Sequence, residues 1–395
     1  MIVARIARPS NDLSMIQIRH CALALMLHSS GLAMAQIGEP APIAPKPPAP
    51  PAMIVSPAPE KPATTDDAPP FPQLHAVEVL RQEAAAVIPM LTAVEAVNFI
   101  LSVGWLPVVD DRVIWVNREK REAKSEMEMA ETPEADRAGF EQRTLPSAYF
   151  YNTRFGSPLA YVRAIELGAA HVGDLPLIKG RRILDFGYGN ATHLRMLASL
   201  GSDVTGVDVD PILRALYSNP DDTGTVPGAL LDPPAPAGKL TLVHGAWPGK
   251  REDPASIKVR EQVGGNFDLI ISKNTLKNGY INPEKLVDPK LLVNLGVSNE
   301  AFVEALASAL RPGGLLIIYN LSPKQRDETY IPWADGRCPF SREMLEAKGF
   351  EIIEFDRGDN DFARRMGQAL GWDRGDQPMD LENDLFALYT ILRRK

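Results

Sequence analysis

The sequence predicts an α/β fold with a doubly wound, mostly parallel sheet of seven strands, preceded by a mostly helical N-terminal extension. Two observations lead to this prediction. From about residue 149 onward, short apolar runs alternate with helix-like segments, which is typical of parallel strands joined by helices. In addition, a glycine-rich turn follows the first apolar run, and an acidic residue ends the second run. Such a unit builds a nucleotide-shaped crevice at the carboxyl end of a parallel sheet.

The unit with the glycine-rich turn consists of a strand, a turn, a helix and a second strand, over residues 182–185, 187–189, 191–200 and 204–208. The turn contains Gly187 and Gly189, and the second strand ends in Asp208. Since glycine has no side chain, a ligand can lie close against the backbone of this turn. Asp208 is in a position to accept hydrogen bonds from two ribose hydroxyls.

The run Asp-Phe-Gly-Tyr-Gly at 185–189, with an acid ending the next strand, resembles motif I of the class I S-adenosylmethionine-dependent methyltransferases. Asp185, two residues before the first glycine, is the detail that favours this family. The resemblance implies the sheet of that family, S-adenosyl-L-methionine as cofactor and methyl transfer as activity. The cofactor-binding residues that it implies in this unit are Asp185, Gly187, Tyr188, Gly189, Asp208 and Val209.

Several alternatives remain open for this unit. One is an aminopropyl transferase on the same fold, although the expected loop has no paired acids for a polyamine. An NAD-dependent oxidoreductase usually has glycine at the position of Asp185 and a third glycine where this chain has Thr192. An exported binding module that kept the fold but lost catalysis need not retain both acids and both glycines. A purely structural turn between strand and helix, with acids at the surface, would also use glycine.

The composition restricts the function classes. With 395 residues and 45% hydrophobic content, the chain can bury a large core. A net charge of −8 argues against a nucleic-acid partner that is bound through a broad basic surface. Cys21 and Cys338 are the two cysteines, and the six histidines are scattered without metal-ligand spacing. The sequence therefore predicts neither a disulfide framework nor a metal site.

The N-terminal segment over 1–35 resembles a secretory signal peptide. Arg19 and His20 precede a short apolar run over 21–27, and Ala33-Met34-Ala35 offers a cleavage site. The run is too short to span a membrane, and Met15 is a possible start. Residues 36–72 form a Pro/Ala-rich linker that cannot pack a core, since 13 of the 35 prolines lie between residues 40 and 72. We expect an exported or periplasmic protein, with a cytoplasmic one as the alternative.

The extension over 73–148 is predicted to be mostly helical. Apolar residues recur at steps of three and four over 74–103, with Pro89 as a break. Residues 108–116 have the pattern of a turn between two short strands. The charged stretch over 117–143 predicts a solvated helix, especially over 119–129.

An aromatic-rich segment leads into the glycine-turn unit. In class I methyltransferases the segment before motif I often folds over the cofactor, so the resemblance makes Tyr151 and Arg154 candidate cofactor contacts. The alternative is that these aromatic residues pack the following helix, over 158–167, onto the sheet. The Rossmann-like domain is predicted to occupy 149–395.

The remaining elements keep the family's order. Further helices are predicted over 212–217, 254–263, 301–310 and 342–348, and further strands over 240–244, 266–274, 315–320, 349–355 and 385–392. Where many relatives have an acid for the adenine amine, this chain has His244-Gly245-Ala246, so we expect backbone groups around Ala246 to bind adenine. Trp247 either stacks on that ring or packs in the core. Arg311-Pro312-Gly313-Gly314 matches a frequent feature of the family.

Methyl transfer from a sulfonium needs alignment and exclusion of water more than covalent help. Lys273, Asn274 and Tyr280 are the candidate catalytic residues, because polar groups at an apolar strand end are costly unless they are used or paired. Tyr280, His244 and Asp335 are candidate bases. The alternative for Lys273 is a structural ion pair, and the alternative for Asp335 is a pair with Arg337. The chain lacks the Asn/Asp-Pro-Pro-Tyr pattern of amino-group methyltransferases. We therefore expect a small-molecule acceptor, which the sequence leaves unidentified.

Overall fold

The computed structural model describes residues 74–151, 156–325, 330–374 and 378–395, with the side chain of Lys290 left out. The predicted signal peptide and Pro/Ala-rich linker lie outside these residues, and so does Arg154, a candidate cofactor contact. Among the described residues, none of the helices combines the length and the apolar content needed to cross a bilayer.

The extension contains both helices and strands. Its helices are α1 (Ala76–Val87), α2 (Val94–Leu101), α3 (Glu126–Glu131) and α4 (Ser147–Tyr151), and its strands are β1 (Arg112–Asn117), β2 (Glu122–Ser125) and β3 (Glu141–Leu145). As predicted, the helical pattern over 74–103 is interrupted near Pro89, where a short 3₁₀ helix separates α1 from α2. Helical residues outnumber strand residues, which agrees with the predicted character of the extension.

Two predictions within the extension are wrong. The chain does not turn at Asp110 and Asp111, since β1 begins after them and its turn to β2 lies at 118–121. The predicted helix over 119–129 is limited to α3, because Ala123 and Ser125 alternate with solvent-facing residues and pair with β1 as a strand. Ser125 and Glu128 then form a reciprocal capping box that starts α3. The sheet order is β2-β1-β3, and both pairings are antiparallel.

The second part of the chain alternates strands with helices. Its strands are β4 (Arg182–Phe186), β5 (Asp203–Asp208), β6 (Gly224–Val226), β7 (Gly238–His244), β8 (Phe267–Lys273), β9 (Leu310–Ser322), β10 (Phe350–Gly358) and β11 (Phe386–Arg394). Its helices are α5 (Val162–Ala169), α6 (Thr192–Ser199), α7 (Pro211–Leu216), α8 (Pro254–Val263), α9 (Asn278–Ile281), α10 (Asn299–Ala309), α11 (Arg342–Ala347), α12 (Asn360–Ala369) and α13 (Leu381–Asp384).

These strands form one sheet in the order β10-β11-β9-β8-β4-β5-β7-β6. The pairings from β9 through β8, β4 and β5 to β7 are parallel, whereas β11 is antiparallel to both of its neighbours. The strand order reverses at β4, so the predicted doubly wound, mostly parallel seven-stranded sheet is confirmed. The short strand β6, from the predicted loop over 218–238, adds an eighth, antiparallel strand at the edge.

Helices cover both faces of this sheet. Along β4, Ile183 belongs to one buried cluster and Leu184 to the other, because successive side chains point to opposite faces. Helices α1, α2, α5, α6, α7 and α12 pack on the Ile183 face, and α8, α10 and α11 pack on the Leu184 face. Burial on both faces explains why the central strands are continuous apolar runs.

Two ion pairs with little solvent exposure fasten peripheral segments to this sheet. Arg112 of β1 donates to both carboxylate oxygens of Asp222, at 2.6 and 2.8 Å, and its side chain is 14% exposed. Arg163 of α5 donates to both oxygens of Asp359, at 2.8 and 2.7 Å, and the hydroxyl of Tyr319 in β9 donates to the same carboxylate. The first pair holds the extension, and the second holds the segment that contains α12.

Replacing Arg112 with Met should lower the free energy of unfolding by about 2 to 3 kcal/mol, since the Asp222 carboxylate would stay buried without its guanidinium. Urea denaturation measures this loss. The matched control is Arg118→Met, one residue beyond β1 at an exposed position, where the change should be within about 0.5 kcal/mol. Equal losses in the two variants would contradict the role given to the Arg112–Asp222 pair.

Candidate functional site

The carboxyl ends of β4, β5, β7 and β8 lie along one edge of the sheet, and the predicted site residues other than Tyr151, Arg154 and Tyr280 lie at or just after these ends. Gly187 follows β4 with φ +75°, a left-handed conformation that favours glycine. Its amide donates to the carbonyl of Val207 in β5. The space beside its α-carbon is filled by Thr275, because a β-carbon on Gly187 would lie 2.3 Å from Thr275 Oγ1. This glycine therefore permits close packing of two strand ends.

Gly189 differs from Gly187 in its surroundings. Its φ is +58°, and a β-carbon on it would meet no heavy atom of the described residues within 4 Å. Its amide donates to Asp208 Oδ2 at 3.1 Å, and the amide of Asp210 donates to Asp208 Oδ1 at 3.0 Å. Burial raises the pKa of Asp208, and these backbone hydrogen bonds partly oppose the rise. The turn thus presents an open backbone beside a fixed acid.

Small or apolar groups lie beyond Asp208 along the same edge. Val209 is 41% exposed, and Ala246, which follows β7, is also exposed. Trp247 is buried and packs against Phe186 and Phe302, with ring centroids about 6 Å apart, so its side chain belongs to the core. Val209 and Ala246 are therefore available to contact a flat ring. Of the two positions considered for Trp247, the structure shows the one in the core.

The side chain of Tyr188 is buried under the turn, 6.4 Å from the ring of Tyr217, so only its backbone can face a ligand. Tyr151 is fully buried, donates its hydroxyl hydrogen to the carbonyl of Pro107 and meets the ring of His75 edge-on. These contacts join Tyr151 to the extension, and they correspond to the packing alternative for the aromatic lead-in segment.

A buried polar cluster lies directly below the glycine turn. Asp185 has no solvent exposure, and its Oδ2 accepts a hydrogen bond from His193 Nε2 at 2.5 Å. The ring of Tyr161 stacks on His193 with centroids 3.5 Å apart. Burial lowers the pKa of His193, so its neutral ring must carry the proton on Nε2. Asp185 Oδ1 and His193 Nδ1 have no hydrogen-bond partner within the described part of the chain.

Neither His193 nor Tyr161 was a sequence-based candidate. His193 is the second residue of α6, and the glycine turn folds this helix start back toward the residue that precedes it in β4. The sequence did contain a signal for His193. It is a polar residue at the start of the helix that follows Asp185 after a short turn, so its side chain can reach that acid. Tyr161 had no such signal, because its approach depends on the packing of the lead-in segment onto α6.

Two of the predicted catalytic residues, Lys273 and Asn274, lie at the end of β8. Lys273 is 4% exposed, and its Nζ lies 5.1 Å from the ring centroid of Tyr161. Asn274 adopts φ +63°, and its side-chain oxygen accepts the amide of Leu321 at 2.7 Å. The amide of Asn274 lies 3.1 Å from the side-chain oxygen of Asn320 and donates to it. Asn274 thereby ties the ends of β8 and β9 together.

The third predicted catalytic residue, Tyr280, lies in α9 with its side chain half-buried, and burial raises its pKa well above the ordinary value. The Nζ of Lys277 lies 5.4 Å from its ring centroid and donates to the carbonyl oxygens of Leu321 and Trp333. Burial lowers the pKa of Lys277 to about 7, with a further contribution from the Lys273 charge.

Asp335 joins the loops that follow β8 and β9. Its carboxylate accepts hydrogen bonds from Arg337, from Asn278 and from the hydroxyl of Tyr330. Although burial acts in the opposite direction, these hydrogen bonds lower the pKa of Asp335. The carboxylate is therefore engaged on both oxygens, which corresponds to the pairing alternative rather than to a base. His244, the other predicted base besides Tyr280, is exposed at the end of β7.

The described residues contain no group of three or more His, Cys, Asp or Glu side chains that could hold a metal ion.

No protein-family model and no curated protein matches the chain. Among solved structures, the chain is similar to an S-adenosylmethionine dependent methyltransferase from Mesorhizobium loti, with 16% identity, 61% of this chain and 100% of that chain covered, and a TM-score of 0.33. It is similar to the cyclase SpnF, with 15% identity, 62% and 85% coverage, and a TM-score of 0.35. It is also similar to a cyclopropane synthase from Mycobacterium tuberculosis, with 14% identity, 62% and 88% coverage, and a TM-score of 0.34.

These similarities are distant, so the class I methyltransferase type of the fold rests on the strand order of this chain. The fold alone does not determine the reaction. The nucleoside part of the predicted cofactor fits the edge, where the open Gly189 adjoins Asp208, Val209 and Ala246. Asp185 Oδ1, at the end of β4, is a buried acceptor without a hydrogen bond in the described residues.

Replacing Gly187 with Ala should destabilise the chain by about 3 kcal/mol, since it adds left-handed strain to a collision with Thr275. Gly189→Ala, the matched control, carries strain without the collision and should cost about 1 kcal/mol. Thermal or urea unfolding measures both values.

The Gly187→Ala/Thr275→Ala double variant isolates the collision, because it removes Oγ1 and Cγ2 of Thr275. We expect it to be more stable than the sum of the two single changes predicts, by at least about 1 kcal/mol. Strict additivity would show that the two residues do not press on each other.

Proposed function

We propose that this chain is a class I S-adenosylmethionine-dependent methyltransferase that transfers a methyl group to a small-molecule acceptor by in-line displacement. The observation that supports the proposal most strongly is the open, positive-φ Gly189 with its amide bound to Asp208 at the end of the adjacent strand. In a doubly wound sheet, ligands bind outside the carboxyl ends of the strands where the order reverses, and this pair lies at that point.

The cofactor's nucleoside would be held by the β5 and β7 ends. Asp208 would accept hydrogen bonds from the two ribose hydroxyls through the lone pairs that the amides of Gly189 and Asp210 leave available. Val209 and Ala246 would flank the adenine, with backbone groups near Ala246 binding its amine. The backbone of the turn from Gly187 to Gly189, including Tyr188, would pass beneath the remainder of the cofactor.

The bound cofactor supplies a methyl group on a sulfonium, which is open to attack by a nucleophile. The protein's part is to hold the acceptor in line and to exclude water from the edge. Lys273, Asn274 and Tyr280 belong to the β8 end and the loop after it, and we propose that they form the acceptor side. Asn274 acts here by fixing the strand ends, while Lys273 and Tyr280 supply polar groups.

The proposal extends to the parts of the chain outside the described residues. A signal peptide over 1–35, followed by a Pro/Ala-rich linker over 36–72, would direct the chain to an exported or periplasmic location. The extension over 73–148 and the Rossmann-like domain over 149–395 would then lie there. Arg154 would contribute to the cofactor site from the segment next to Tyr151. A cytoplasmic location is the alternative if residues 1–35 are not a signal.

One observation favours a second candidate, a non-catalytic binding module with the same fold. Thr275 packs directly against Gly187, which leaves less room on the acceptor side than on the nucleoside side. Such a module would bind the cofactor or its product without consuming it. An NAD-dependent oxidoreductase receives no comparable support, because the buried Thr192 occupies the place of its third glycine and donates to the carbonyl of Phe150.

Calorimetric titration of the full chain with S-adenosylmethionine and with S-adenosylhomocysteine tests the proposal. We expect micromolar binding of both ligands, and we expect Asp208→Asn to weaken it by about 10- to 100-fold through the loss of charged hydrogen bonds to the ribose. Asp203→Asn is the matched control, since Asp203 begins the strand that Asp208 ends and is far from the edge.

Folded protein that binds neither ligand would overturn the methyltransferase proposal. Binding that Asp203→Asn weakens as much as Asp208→Asn does would overturn the assignment of the ribose to Asp208. If the non-catalytic alternative holds, the chain binds labelled S-adenosylmethionine tightly. It then transfers no methyl group to any member of a panel of hydroxyl and amine acceptors.

A further inference from the structure

Lys273 is a lysine removed from water at the edge where the proposed reaction takes place. It is the last residue of β8, and β8 is paired in parallel with β4, which leads into the glycine turn. Its side chain lies over the ring of Tyr161, with Nζ 5.1 Å from the ring centroid. Lysine is almost never this deeply buried for packing alone, because its ammonium form loses hydration.

Titratable groups on several elements lie around Lys273, and Tyr319 of β9 is its partner in the sheet register. Asp185 faces it from the end of β4, Tyr161 from the segment before α5, His193 from the start of α6 and Lys277 from its own loop. Burial lowers the pKa of Lys273 to about 8, and the attraction of Asp185 partly opposes this.

The attraction of Asp185 is shared with His193. The carboxylate oxygen Oδ2 accepts the Nε2 hydrogen of His193, and this ring is held in place by its stacking on Tyr161. A carboxylate that is already bound by a neutral donor stabilises a neighbouring ammonium less than one whose hydrogen-bonding capacity is unused. The His193–Asp185 hydrogen bond therefore favours the uncharged amine of Lys273.

We infer that Lys273 accepts the proton that the methyl acceptor loses, and that His193, by binding Asp185, is a positioning residue that limits how strongly this carboxylate favours the charged amine. The inference rests on the proposed function and names the acceptor class, which is a hydroxyl or a protonated amine. Its O–H or N–H bond breaks and the proton goes to the Lys273 lone pair. The electron pair that this leaves on the oxygen or nitrogen bonds to the methyl carbon. The carbon–sulfur bond of the cofactor breaks, and its electron pair stays with sulfur.

The surroundings of Lys273 suit this role better than those of the other candidate bases. Asp335 is engaged by three donors, and burial raises the pKa of Tyr280, which therefore stays protonated at neutral pH. Lys277 lies beyond the end of β8, whereas Lys273 ends this strand next to β4 and its glycine turn.

The charge state of Lys273 can be measured directly in the full chain labelled with ¹³C-lysine. The Cε resonance of Lys273, assigned with Lys273→Arg and distinguished from Lys277 with Lys277→Arg, should titrate near pH 8. An ordinary lysine titrates near about 10.4. A midpoint in that ordinary range would overturn the inference, because the uncharged fraction of the amine at neutral pH would then be negligible.

Variants of His193 test the positioning role. His193→Leu removes the donor to Asp185 and should move the Lys273 midpoint up by about one pH unit, while His193→Gln, which keeps a side-chain N–H, should restore it at least in part. With an acceptor in hand, the midpoint of the rate–pH profile should move by the same amount, and the Kd of S-adenosylhomocysteine should not change. A midpoint that does not respond to either variant would overturn the positioning role.

Binding and titration separate the two possible failures. Tight binding of S-adenosylhomocysteine together with an ordinary Lys273 midpoint overturns the proton-acceptor role alone. Absence of binding overturns the proposed function, and the inference fails with it. Lys273→Met should retain binding of S-adenosylhomocysteine and lose methyl transfer by at least about 100-fold. Retained methyl transfer in this variant would contradict the inference.

Discussion

The carboxylate of Asp185 is the group on which the carboxyl edge of the sheet depends. It is fully removed from water at the end of β4, where an uncompensated charge would be costly. The compensation comes from His193, which fixes the start of α6, and from Tyr161, which stacks on His193 and fixes the segment before α5. The glycine turn between Asp185 and His193 therefore has little freedom, and its open backbone is held beside β5.

The edge has two sides with different physical character. On the β5 side, an open glycine and a carboxylate bound by backbone amides offer fixed acceptors to a polar, flat ligand. On the β8 side, Thr275 packs against Gly187, and Lys273 lies over an aromatic ring with little access to water. In the proposed function the first side holds the nucleoside and the second holds the acceptor. This division suits in-line group transfer, since alignment and exclusion of water carry most of the rate.

The sequence was sufficient for the features that depend on local periodicity. Alternating apolar runs and helices predicted the sheet, and the glycines at 187 and 189 predicted the turn that follows β4. It was insufficient where tertiary packing decides, as in the charged stretch that forms β2 because Ala123 is buried against its neighbours. Tyr161 lies 32 residues before His193 in the sequence, and no local pattern indicates that the two rings stack. Tyr151 likewise had two possible positions, and only packing against Pro107 decides between them.

Hydrogen–deuterium exchange of the full chain with and without S-adenosylhomocysteine tests most directly whether the ends of β4, β5 and β7 form a nucleoside site. We expect slower exchange of the amides at 187–192, 207–210 and 244–247, because a ligand would shield the glycine turn and the strand ends. Protection confined to the extension over 74–148, with these three segments unchanged, would contradict it.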